Sequence, residues 1–254
     1  MSAQPSLIPP FDDEWPLTAE QLASYENDGM VALGPLLSLD ETRDIRARLQ
    51  SFAVDVVPHL PEAVCAKIVK FQPGTKIVRR LYNLRQTDAF FDSLGNSPRF
   101  CSVAKQLVSW EPQLFAVEMF YLAPRVGLGA HIHQEAAYFA RPERHRSINL
   151  WVALDDVGPD SGTMRYWLGS HKAGLLSDSF DALGNRVVRR EVADGAAREI
   201  RTFVALRGHA AAHTGLTVHE SLPNTSENPR MALVVHYRDG IEDLLPDTDD
   251  ASHA

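Results

Sequence analysis

From Leu114 onward the chain is cut into short runs rich in aliphatic, aromatic and β-branched residues, and that texture restricts its fold more than any other feature. The runs are Leu114 to Leu122, Ser147 to Leu154, Arg201 to Leu206 and Met231 to Tyr237, separated by turn signals such as Gly158-Pro159-Asp160 and Pro223-Asn224. Several such runs in series predict antiparallel strands that close into a sandwich or jelly roll. The first part of the chain is patterned for helices. Thr18 with Gln21, and Ser38 with Glu41, make capping boxes ahead of apolar stripes at Leu22 and Tyr25, then at Ile45, Leu49 and Phe52. Asn27-Asp28-Gly29 stops the first helix, and Met30 to Leu33 follows as a short β-like run. Phe90 to Leu94 and Val103 to Trp110 read as helices parted by Gly95 and Pro98. The predicted class is α+β, mainly β, a jelly roll with N-terminal and flanking helices.

With 254 residues, the chain is expected to form one domain. Residues 1–16 are read as a loose lead-in, 17–110 as a helix-rich support region, 111–240 as the strand-rich core and 241–254 as an acidic tail. A net charge of −8 argues against nonspecific binding to nucleic acid or anionic membrane. No apolar run is long enough to span a bilayer. The start, MSAQPSLIPPFDDEW, lacks the basic and apolar segments of a secretory signal, so a cytoplasmic location is expected. Cys65 and Cys101 suggest ordinary thiols in a reducing compartment.

The densest chemical signal is His131-Ile132-His133-Gln134-Glu135. On an extended strand residues two apart share a face, which would converge His133 and Glu135 on one point. With a distant second histidine they make a two-His-one-carboxylate set, which leaves part of an Fe(II) coordination sphere open. That histidine is offered by His219, in Leu216 to Arg230. If the runs flanking Pro223-Asn224 pair as neighbours, Arg230 returns beside His219. A guanidinium there could grip the free carboxylate of a dicarboxylate whose other end chelates iron.

Four segments carry a resemblance: LTAEQLASYENDGMVAL, HQEAAYF, WVALDDVGPDSGTMRYWLGSHKAG and HTGLTVHESLPNTSENPRMALVVHY. In this order and spacing the chain resembles the phytanoyl-CoA dioxygenase family of Fe(II)/2-oxoglutarate oxygenases. The resemblance implies a double-stranded β-helix, the cofactors Fe(II) and 2-oxoglutarate, O2 as oxidant, and a small-molecule substrate. It implies that His133, Glu135 and His219 bind iron and that Arg230, assisted by Ser221, holds the distal carboxylate of 2-oxoglutarate. Gln134 and Trp151 match positions that line the co-substrate site, and Phe139, Tyr138 and His213 match positions that face substrate. The family usually has Asp where Glu135 stands, Pro-Gly-Ser-His where this chain has Leu168-Gly169-Ser170-His171, and Gly-Asp where it has Gly208-His209. A retained carboxylate at 135 implies hydroxylation, desaturation or ring formation rather than halogenation.

Two other functions fit part of the pattern. A cupin-type metalloprotein would use His131, His133 and His219 without 2-oxoglutarate, though it leaves Arg230 without a purpose. A non-catalytic relative would keep the fold as a binding module. Of the other histidines, His59, His145 and His253 read as surface groups, and His171, His209 and His236 as structural. Arg141, Arg144 and Arg146 read as a solvated basic loop.

Overall fold

The protein is described by a computed structural model covering residues 11–125, 129–138, 146–181 and 184–240. Phe139, the lead-in before residue 11, most of the basic loop and the acidic tail lie outside the described residues.

Both sequence-read capping boxes form. In α1 (Ala19–Asp28) the Thr18 hydroxyl accepts from the Gln21 amide, and Gly29 closes the helix in the left-handed conformation. In α2 (Leu39–Ser51) Ser38 plays the same part with Glu41. Between them runs β1 (Met30–Pro35). The support region continues through α3 (Glu62–Ile68), a hairpin of β2 (Val69–Phe71) and β3 (Val78–Leu81), then α4 (Leu84–Thr87), α5 (Ala89–Gly95) and α6 (Pro98–Leu107). The strand-rich part follows as β4 (Pro112–Leu122), β5 (Ala130–His133), β6 (Ser147–Ala153), β7 (Met164–Leu168), β8 (Asp178–Phe180), β9 (Arg186–Val188), α7 (Arg190–Ala196), β10 (Glu199–Phe203), β11 (His209–Thr214), β12 (His219–Ser221) and β13 (Arg230–Asp239).

These strands form two facing antiparallel sheets and a small hairpin of β8 and β9. The larger sheet runs β1-β11-β6-β13-β4-β3-β2 and the smaller β10-β7-β12-β5. The architecture is a jelly roll of the double-stranded β-helix type. Beyond β1, which the Met30 to Leu33 run signalled, the helix-rich region also supplies β2 and β3, and so builds both ends of the larger sheet. Their partners explain this. β1 pairs with β11, and β3 with β4, so these early strands cap edges that would otherwise be open.

Strand alternation separates the two faces of the larger sheet. Ile148, Leu150 and Val152 of β6, with Leu233, Val235 and Tyr237 of β13, join a helix-side core containing Ile45, Leu49, Phe91, Phe100 and Val103. Burying each such side chain is worth about 1.5–3 kcal/mol. The opposite face turns Trp151, Ala153, Ala232 and Val234 toward Met164, Tyr166, Leu168 and Phe203 of the smaller sheet. Trp167 points outward, packing with Ile132, Val188 and Val218 beneath Ala193 of α7. Several inward positions of this lumen are polar rather than apolar, and the site is built there.

Candidate metal and co-substrate site

His219 pairs across the smaller sheet with His133 on one side and Tyr166 on the other. The His133 and His219 ring centroids are 4.2 Å apart. β5 ends at His133, and Glu135 opens a 3-10 turn that reaches Tyr138. Convergence of His133 and Glu135 therefore comes from a strand running into a turn, not from strand alternation. The chain folds back after one residue, and the longer Glu side chain brings Oε2 to 3.7 Å from His133 Nε2. One ligand atom from each of His133, Glu135 and His219 lies within 4.8 Å of the other two.

Both imidazoles are held in one tautomer. His133 Nδ1 donates to the His131 carbonyl at 2.6 Å, and His219 Nδ1 donates to the Thr217 carbonyl at 2.9 Å. A carbonyl only accepts, so the proton sits on Nδ1 and Nε2 keeps a bare lone pair. Burial lowers His219 to about 3, with the neighbouring His133 acting in the same direction. Burial alone would raise Glu135, but His133, His236 and Arg80 hold it well below the usual carboxylate range. Two Nε2 atoms and a carboxylate thus face one another. This donor set fits a divalent cation with nitrogen and oxygen affinity and open positions, as Fe(II) requires.

Arg230 stands at the start of β13 with its side chain buried. Its Nε donates to the Gly162 carbonyl at 3.1 Å, and Nη2 donates to the same carbonyl and to the Ser221 hydroxyl. Its guanidinium carbon lies 5.6 Å from the Trp151 ring. Burial brings its pKa down to about 10, so it stays charged at neutral pH. No carboxylate of the described residues pairs with it. A buried unpaired cation is costly, and a ligand carboxylate would satisfy it. The route differs from the expected one. β12 pairs within the smaller sheet and β13 within the larger, so Arg230 reaches Ser221 across the sandwich rather than along a hairpin.

The remaining sequence-read residues divide. Trp151 faces inward beneath Arg230, and Tyr138 lies 6.0 Å from the His133 ring. His213 is buried 4.5 Å from His219, ring to ring. Gln134 is fully buried, but its amide donates to the carbonyls of Gly174 and Leu216 and accepts from the Leu176 amide. It clamps two loops rather than presenting an amide to the lumen. His131 turns outward to Asp181 at 2.9 Å, which removes it from the three-histidine set a cupin-type site would need. Arg80, Glu118, Asn149 and Tyr166 also project into the lumen and were missed. Glu118 and Asn149 had a signal: each is a lone polar residue inside an apolar run.

A jelly roll with paired histidines, a carboxylate and a buried arginine defines the class of Fe(II)/2-oxoglutarate-dependent oxygenases, and this protein is one of them. The phytanoyl-CoA dioxygenase (PhyH) family model matches residues 25–232, and the chain belongs to that family. It is 23% identical over 232 residues to L-proline trans-4-hydroxylase of Streptomyces griseoviridis, covering 84% of this chain and 83% of that protein. It is 22% identical over 179 residues to ectoine dioxygenase of Sphingopyxis alaskensis, covering 68% of this chain and 57% of that protein. In fold it is similar to EvdO2 of Micromonospora carbonacea var. aurantiaca, solved with 2-oxoglutarate, at a TM-score of 0.68 and 18% identity over 90% of this chain and 94% of that one. The epimerase SnoN from nogalamycin biosynthesis gives a TM-score of 0.67 at 21% identity, over 87% of this chain and 80% of that one. The cofactors are Fe(II) and 2-oxoglutarate, with O2 as oxidant. No helix among the described residues is long and apolar enough to cross a membrane.

Proposed function

We propose that His133, Glu135 and His219 bind Fe(II), that Arg230 and Ser221 hold the distal carboxylate of 2-oxoglutarate, and that residues 1–254 act as one domain oxidising a small organic molecule. The observation that carries this reading is Arg230, a buried guanidinium that has no carboxylate partner among the described residues and hydrogen-bonds the Ser221 hydroxyl. Ser221 lies two residues from His219, so the arginine sits one extended dipeptide from the metal cluster.

When bound, iron and 2-oxoglutarate together activate O2, with succinate and CO2 as co-products. The protein's share is positioning and exclusion of water. The carbonyls of His131 and Thr217 hold the protons on Nδ1 and turn both Nε2 atoms inward. The Gly162 carbonyl fixes the guanidinium plane, leaving its remaining edge for a carboxylate. Trp151, Phe203 and Tyr166 wall the space between Arg230 and the histidines with apolar surface. Retention of a carboxylate at 135 supports hydroxylation, desaturation or cyclisation over halogenation. Relatives named for acting on proline and ectoine support a compact substrate.

The test measures iron content and succinate release in wild type and His219→Ala. We expect the variant to lose bound iron and 2-oxoglutarate turnover together. Iron retained at wild-type stoichiometry would remove His219 from the ligand set.

A further inference from the structure

A second polar cluster lies in the lumen beside His133, Glu135 and His219, and the proposed iron and co-substrate contacts do not use it. Glu118 of β4 and His236 of β13 project inward, each only 7% exposed. Arg80 of β3 lies across the Glu118 carboxylate, with its guanidinium between the rings of Tyr82 at 4.1 Å and Phe120 at 4.4 Å. Its Nε donates to Glu118 Oε2 at 2.8 Å, and its Nη2 approaches the same oxygen at 2.5 Å. Both Arg80 contacts fall on Oε2 rather than on the other carboxylate oxygen, Oε1.

His236 is oriented by a relay. Its Nδ1 donates to the Asn149 side-chain oxygen at 2.7 Å, and the Asn149 amide donates to His213 Nε2 at 3.2 Å. His213 Nδ1 in turn meets the Tyr166 hydroxyl at 3.4 Å. With its proton on Nδ1, His236 presents a bare lone pair on Nε2. That atom is buried and has no hydrogen-bond partner among the described residues. Glu118 Oε2 is 3.9 Å away, beyond hydrogen-bond reach, and is itself an acceptor. Two buried acceptors therefore stand side by side, close enough for one nitrogen bearing two hydrogens to reach both. A hydroxyl, with one hydrogen, satisfies only one of them. The relay also joins this wall to the metal cluster, since the His213 ring lies 4.5 Å from that of His219.

We propose that Arg80, Glu118 and His236 form the substrate-recognition wall, and that the substrate carries a protonated primary or secondary amine which donates to Glu118 and to His236 Nε2. Glu118 supplies the charge-assisted bond, His236 the second acceptor, and Arg80 holds the carboxylate in place. The inference rests on the iron and 2-oxoglutarate reading of the adjacent cluster, since that reading makes this wall part of a substrate pocket.

The test uses the full chain, labelled with 15N-histidine, substituted with Zn(II) and loaded with 2-oxoglutarate. Cyclopentylamine, cyclopentanol and cyclopentanone are titrated as matched probes, and the His236 Nε2 resonance is followed. We expect free His236 to show a bare Nε2 that shifts saturably with the amine, about tenfold more weakly with the alcohol and not with the ketone. Glu118→Gln and His236→Phe should each weaken the amine by roughly tenfold. The visible charge-transfer band on anaerobic addition of Fe(II) and 2-oxoglutarate should persist in both variants. A resonance unmoved by every probe, equal binding of amine and ketone, or a protonated Nε2 in the free protein overturns the proposal. Loss of the band in wild type instead overturns the neighbouring metal assignment. Should either variant fail to fold, the wild-type titration still decides.

Discussion

Replacing Arg230 isolates the co-substrate anchor from the metal. The guanidinium is buried and charged, and its Nε and Nη2 already serve Gly162 and Ser221. Only its remaining edge is free to meet a carboxylate. Truncating one member of a buried charge-assisted pair costs about 2–5 kcal/mol. At about 1.4 kcal/mol per decade, Arg230→Leu should bind 2-oxoglutarate roughly 30- to 4000-fold more weakly. Arg230→Lys keeps the charge but loses the planar fork, so an intermediate loss is expected. The leucine variant also removes the two guanidinium donors from the buried Gly162 carbonyl, which keeps only the Ser221 hydroxyl, for a stability cost on the order of 1 kcal/mol. Urea unfolding of both variants separates that cost from the binding effect. The assay is anaerobic calorimetric titration of 2-oxoglutarate into Fe(II)-loaded protein, with iron content measured in parallel. Unchanged 2-oxoglutarate affinity in a folded leucine variant would refute the reasoning. So would loss of iron in step with the co-substrate.

Three further outcomes follow from the same geometry. Gly162 has φ +76°, and an added Cβ would fall 2.4 Å from Leu122 Cδ1, so Gly162→Ala strains the backbone whose carbonyl orients Arg230. It should raise the 2-oxoglutarate KM several-fold with iron content near normal, and an unchanged KM would count against the orienting role. Glu135→Asp should keep partial iron binding and turnover, because a carboxylate survives but reaches less far from the turn; activity equal to wild type would show that the extra methylene is dispensable. The metal-free protein should lose stability as the pH falls. Burial lowers His213, His219 and His236, His219 to about 3, whereas each takes up a proton near 6.5 once unfolded. Below about 6.5 the unfolded chain binds more protons, costing on the order of 1 kcal/mol per pH unit for each histidine. Glu135, also held low, adds to the loss once the pH passes below its ordinary 4.5. Urea midpoints of the apo protein at pH 7 and pH 5 should differ accordingly, and equal midpoints would contradict the buried neutral histidines.

Local signals in the sequence were reliable where the physics is local. The capping boxes at Thr18 and Ser38 and the apolar runs of β4, β6 and β13 depend on neighbours a few residues away, and all are present. The β2–β3 hairpin was not legible, because β3 is held by pairing with β4, and β2 by β3, rather than by their own pattern. Spacing brought His133, Glu135, His219 and Arg230 together, but two of its reasons were wrong. A turn, not a strand, presents Glu135, and Arg230 crosses between sheets to reach Ser221. Neither is visible without knowing which sheet each strand joins. The lumen residues Glu118, Asn149 and His236 share one difficulty. Their meaning lies in the register that sets His236 opposite Asn149 and Asn149 opposite His213, and register is a long-range property.

The most direct test of the central claim is anaerobic titration of Fe(II) and then 2-oxoglutarate into the apo protein, compared with His219→Ala. Wild type should bind one equivalent of iron and develop the weak visible charge-transfer band of a chelated 2-oxoglutarate, while the variant shows neither. Iron binding without the band, or a band that survives in the variant, would contradict the assignment of His133, Glu135, His219 and Arg230 to a shared iron and 2-oxoglutarate site.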